Sequence, residues 1–131
     1  MGKYDKLELA RWVVKQGKKA GADNVSVDVI KDRSISVDFR NGKMEELKES
    51  SQNYLSLSVY ADHRYTSHTT CDLNKASMEK FIAEAVAMTK YLNEDPYRSL
   101  PDQKYYKMRS DIDLNLHDDN YPNVTPEERV K

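Results

Sequence analysis

The sequence predicts an α+β fold: an antiparallel meander of four to five strands, with a preceding and a following amphipathic helix packed on one face. Three observations carry this. Residues 7–20 space their apolar side chains as a helix does, residues 25–39 and 55–59 alternate at period two around an Asn-Gly pair, and residues 78–92 return to helical spacing. Helices with one apolar face each, flanking strands with one apolar face each, bury those faces most simply as two layers.

The first helix is read from Leu7, Ala10, Val13, Val14, Gly17 and Ala20. Asp5 is its expected cap, and Gly21 stands where a helix ends in a left-handed residue. Val25, Val27 and Val29 then point one way, with Ser26 and Asp28 opposite. Lys31-Asp32-Arg33 reads as a polar break, after which Ile35, Val37 and Phe39 resume the alternation. Asn41-Gly42 is a type I′ hairpin turn, because both residues tolerate positive φ. The following KMEELKESSQ has helical propensity, but a two-residue turn requires a returning strand, and the turn decides. Leu55, Leu57 and Val59 alternate with Ser56, Ser58 and Tyr60, and Asp62-His63 turns the chain into the strand Arg64–Thr70. The second helix carries Met78, Phe81, Ile82, Ala85, Val86, Thr89 and Leu92 on one stripe, starts at an Asn74 cap, and is followed by Asp95-Pro96.

Residues 1–100 thus read as one α+β domain, and 101–131 as an irregular linker. Thr125-Pro126-Glu127-Glu128 has the order of a helix start, with a cap, Pro in the first turn and acids near the positive end of the dipole. Only three residues follow it, so the chain is expected to be a fragment. Tyr97, Tyr105, Tyr106 and Tyr121 are expected to anchor this tail onto the domain.

Lys and Arg total 21 against 22 Asp and Glu, for a net charge of −1. That balance gives no electrostatic case for nucleic acid or an anionic membrane. No apolar run approaches the roughly 18 residues of a membrane helix. Cys71 is the single cysteine, so there is neither an internal disulfide nor a cysteine-only zinc site. A cytoplasmic location is expected.

Candidate chemistry is sparse. His63, His68 and His117 form no HExxH arrangement, and an odd separation sets His63 and His68 on opposite faces of a strand. Asp111, Asp113 and Asn115 open like a calcium loop, but Leu116 stands where glycine is needed and Pro122 where the bidentate Glu belongs. Cys71 lies near His68 and Asp72 without a glycine-rich turn to form an oxyanion hole. The helix–sheet–helix outline also matches a double-stranded RNA-binding domain. The start of the last helix, however, mixes Asn74, Lys75 and Lys80 with Asp72 and Glu79, where that class places a basic cluster.

Four passages, KKAGADNVSVDV, SISVDFRNGKMEELKES, LSLSVYADHRYTSHTTCDL and NEDPYRSLPD with DIDLNLHDDN and TPEERVK, resemble in order and spacing the N-terminal domain of the TldD/PmbA family. Departures fall at Asn53, Ser58, His63 and Thr66, where the family pattern has glycine nearby, arginine, glycine and glycine. The resemblance implies a cytosolic protein of the kind called a gyrase modulator or peptide-maturation protease. It implies zinc in the full-length protein, on an HExxxH-type helix of a later domain; no catalytic, cofactor or metal residue falls in this chain. The implied partners are the protein's own C-terminal domain, a second TldD/PmbA-type subunit and a peptide substrate, with no nucleic acid and no membrane. The strand edge at Arg64, Tyr65, Thr66, Ser67 and His68 is the candidate peptide-binding site, by β-addition. The alternative is a free-standing binding module for RNA or protein.

Overall fold

The computed structural model describes residues 5–108 and 110–130, with the backbone alone at Met108. Its contacts divide into two compact units. One holds the residues up to Arg33 together with Ser51–Leu100; the other holds Ser34–Ser50 and the residues from Pro101 onward.

The order of elements is α1 (Lys6–Lys19), β1 (Asn24–Arg40), β2 (Lys43–Ala61), β3 (Arg64–Thr70), α2 (Lys75–Thr89) and α3 (Pro126–Val130). The strands form one sheet in the order β1-β2-β3. β2 and β3 are antiparallel, with Leu57 opposite His68 and Tyr60 opposite Tyr65.

The described residues hold three strands, not the four to five expected. Lys31-Asp32-Arg33 does not interrupt β1, and Lys48–Asn53 does not interrupt β2. The reason lies in parity. Val25, Val27, Val29, Ile35, Val37 and Phe39 all occupy odd positions, as do Leu47, Leu55, Leu57, Val59 and Ala61. Within each strand the apolar residues on either side of the polar stretch keep one parity, as a continuous strand allows.

In the first unit both helices lie over the face that carries the odd-numbered apolar residues of β1 and β2. Leu9 and Val13 of α1, Met78, Ile82, Ala85 and Val86 of α2, and Val25, Leu55, Leu57 and Val59 of the sheet make one core. The buried face of α1 is Leu9, Val13 and Gly17. It is rotated from the expected stripe: Leu7 is 56% exposed and Ala20 lies outside the core. Leu92, expected on the α2 stripe, is likewise exposed. Gly17 lets α1 approach β1 so closely that a Cβ there would stand 2.7 Å from Val25 Cγ2.

The helix ends follow local chemistry. Asp5 accepts from the Leu7 N–H at 2.9 Å, and Asn74 accepts from the Ala76 N–H at 3.0 Å. α1 closes with Ala22 N–H donating to the Gly17 carbonyl and Gly21 N–H to that of Lys18, Gly21 having φ +102°. This is a Schellman end.

In the second unit, Asn41 (φ 53°) and Gly42 (φ 74°) make the expected left-handed turn between β1 and β2. α3 opens with a reciprocal capping box: the Glu128 N–H donates to Thr125 Oγ1, and the Thr125 N–H donates to Glu128 Oε2. Short 3-10 turns occupy Gln103–Met108 and Tyr121–Asn123. Tyr105 and Tyr106 are exposed here, as is Tyr97 in the first unit. Tyr121 receives the Arg129 guanidinium over its ring at 5.0 Å.

Candidate functional site

β3 ends the sheet, and its outer edge meets no other strand among the described residues. Asp62 (φ 48°) and His63 (φ 58°) form the two-residue turn that starts it. In such a hairpin the closing pair, Ala61 and Arg64, exchanges both hydrogen bonds, and every second pair after it does the same. The N–H and C=O groups of Arg64, Thr66 and His68 are thereby turned to β2. Those of Tyr65, Ser67 and Thr69 face outward.

The five residues picked from the sequence separate by parity. Arg64, Thr66 and His68 share the helix-covered face with Ala61, Val59 and Leu57. The Arg64 guanidinium, 20% exposed, donates from Nη2 to Glu94 Oε1 at 2.7 Å, from Nε to the Leu92 carbonyl at 2.7 Å and from Nη1 to the Asp62 carbonyl at 2.9 Å. Thr66 Oγ1 lies 2.6 Å from Thr89 Oγ1. Thr89 commits its proton to the Ala85 carbonyl, so Thr66 is the donor between them. The His68 ring stands edge-on to Phe81, with centroids 6.2 Å apart, and its Nε2 is buried without a protein partner.

Tyr65 and Ser67 occupy the opposite face. Tyr65 packs on its cross-strand neighbour Tyr60 at 4.9 Å between centroids and carries the Arg98 guanidinium at 5.0 Å. Ser67 and Thr69 are exposed. A ligand at this edge meets the backbone of Ser67 and Thr69, because four of the five chosen side chains are occupied within the molecule.

Beside the Asp62-His63 turn lies an open hollow of about 350 Å³, lined in part by Asp23, Tyr60, His63, Arg64, Glu94 and Arg98. Its charges serve the turn. Asp23 Oδ2 accepts from the Asp62 N–H at 2.8 Å, and the Asp95 N–H donates to the His63 carbonyl at 2.7 Å. The Arg64 and Arg98 network was not legible in the sequence, since its partners stand about thirty residues away. A lone arginine beginning an edge strand was its only signal.

Cys71 is exposed and adjoins Asp72, whose Oδ1 accepts from the Asn74 N–H. That bond, and a second from Ser77, hold the Asp72 carboxyl below the ordinary aspartate value. Among the described residues no group of three or more His, Cys, Asp or Glu could hold a metal ion. The donor set present here therefore does not fit zinc. No helix among them is long and apolar enough to cross a membrane.

Comparison with known proteins agrees with this geometry. Residues 25–89 match the family model described as PmbA/TldA metallopeptidase domain 1. The chain is 29% identical over 126 residues to the metalloprotease PmbA of Escherichia coli O157:H7, covering 95% of this chain and 25% of that protein. A crystal structure of a Bacteroides thetaiotaomicron protein, named for modulation of DNA gyrase, superposes with a TM-score of 0.89 at 31% identity. That match takes in 99% of this chain and 29% of the other. TldE from Thermococcus kodakarensis shares the fold, with a TM-score of 0.62 at 18% identity over 72% of this chain and 21% of its own. The chain spans about a quarter of the length of the curated relative it matches. With the matched stretch running from the start of β1 to the end of α2, the chain belongs to the TldD/PmbA family and corresponds to its N-terminal domain.

Proposed function

We propose that this domain is the non-catalytic N-terminal part of a TldD/PmbA-type peptidase subunit. Residues 1–100 form the domain and 101–131 lead toward the next. Its work is architectural: one surface for a second subunit of the family, and one wall of a chamber in which a peptide is held. In this reading the zinc and the water it activates belong to a later domain. The cytoplasm is the compartment that suits this reading.

The observation that carries the peptide-holding role is the outer edge of β3, which meets no other strand among the described residues, with the backbone groups of Ser67 and Thr69 turned outward. An extended peptide added there would be held by main-chain hydrogen bonds, so its sequence would matter little. Ser67→Pro tests this directly. It removes an outward N–H and leaves the ladder to β2 intact, a position where proline is tolerated. The variant should keep its thermal midpoint within a few degrees and lose most of its binding to an unfolded peptide, read by amide shifts along Arg64–Thr70. If wild-type amides at Ser67 and Thr69 do not respond to peptide at all, the chamber-wall role falls.

A further inference from the structure

We propose that Ile112, Leu114 and Leu116 are the side chains through which this domain docks onto a later domain of the same polypeptide. The inference rests on reading the chain as the first domain of a longer subunit. The three residues are 74%, 68% and 87% exposed, three large aliphatic side chains within five positions. They alternate with Asp111, Asp113, Asn115 and His117 on a stretch without helix or strand. So dense an apolar exposure marks a contact surface more than a solvated loop.

The backbone is fixed in a way that presents them singly. Asn115 has φ 52°, and its N–H donates to Asp113 Oδ1 at 2.8 Å. A left-handed residue between Leu114 and Leu116 breaks the pleat, so this stretch cannot lie along another sheet as a regular added strand. The side chains act instead as separate plugs. The superposition on the Bacteroides protein takes in 99% of this chain, the tail included, while more than two thirds of that larger protein lies outside the match. The match thus takes in this path as well as the sheet and helices.

Charge decides against a second copy of the same surface. Asp111, Asp113, Asp118 and Asp119 border the plugs, and a two-fold contact would set these carboxylates against one another. The occupant is an apolar hollow rimmed by Lys or Arg. A later domain on the same chain meets the surface at high effective concentration.

Hydrogen exchange over residues 110–117, compared between the full-length protein and the 131-residue chain, tests the assignment. We expect exchange slowed at least about 100-fold in the full chain. That protection should be lost in the full-length double variant Leu114→Asp, Leu116→Asp, while amides of β2 and α2 keep theirs. Equal, fast exchange in both chains overturns the docking assignment and leaves the family reading standing. A reading frame that ends after Lys131 overturns the longer-subunit reading, and the inference with it. Protection that rises with concentration in the 131-residue chain assigns the surface to a second copy and overturns the docking in cis.

Discussion

At Gly17 a single missing methyl group decides how closely α1 lies on β1. Alanine would gain about 1 kcal/mol in helix propensity, but its Cβ would sit 2.7 Å from Val25 Cγ2. Val25 is a stiff β-branched residue in the core. Overpacking of this kind costs about 1–3 kcal/mol. Gly17→Ala should therefore destabilise by about 1 kcal/mol net in urea unfolding, and the sign should reverse when Val25→Ala makes room. A second residue-scale effect concerns Asp72. Its folded-state carboxyl titrates below the ordinary aspartate value, because the Asn74 N–H and Ser77 hydrogen-bond its charged form. Such a group contributes stability above its unfolded pKa of about 3.9 and loses it as pH falls through the lower folded value. The Asp72→Asn variant should show a shallower acid limb than wild type when unfolding free energy is measured from about pH 6 down to about pH 2.

Between elements, the tie from β3 to α2 is a chain of hydroxyls: Thr66 donates to Thr89, and Thr89 to the Ala85 carbonyl. Thr89 is fully buried. Thr89→Val removes the acceptor and leaves the Thr66 hydroxyl without its partner, which should cost about 1–3 kcal/mol. Thr66→Val made in addition should recover most of that loss, and a double-mutant cycle in urea would show it as a coupling between the two sites. The caps of these elements were legible because they are local. Asp5, Gly21, Asn41-Gly42 and Asn74 each act within a few residues of themselves, and each stands where its chemistry predicts. The rotation of α1 was not legible. Leu7 and Leu9 are equally apolar in the sequence, and only the sheet beneath the helix selects Leu9.

For the molecule as a whole, the α+β class could be read from the sequence because alternation and helical spacing survive across the chain, and the family from the order of four passages that resemble it. The number of strands could not. Polar residues in the middle of β1 and β2 look like punctuation when composition is weighed, whereas the shared parity of the apolar residues on either side allows one continuous strand. The candidate site divides in the same way. The edge position of β3 follows from the order of hairpins, but the assignment of Arg64 to Glu94 and the Leu92 carbonyl depends on where α2 ends in space. The two helices, about 21 and 22 Å long at 1.5 Å per residue, could not cover strands of 17 and 19 residues, about 55 and 60 Å. Much of the long hairpin consequently belongs to the second unit.

The shared parity of the apolar residues on either side of Lys31-Asp32-Arg33 makes spacing, more than chemistry, the heritable property of that triplet. Almost any polar triplet would serve there, but the number of residues must change by twos. Deleting Asp32 alone would turn Ile35, Val37 and Phe39 to the other face of the ribbon, or force a bulge to absorb the slip. Deleting Asp32 and Arg33 together should leave them facing as they do now. Amide exchange across Ser34–Arg40 would tell the two deletions apart, with the odd-numbered one exchanging faster, and natural length variants of this hairpin should differ by even numbers.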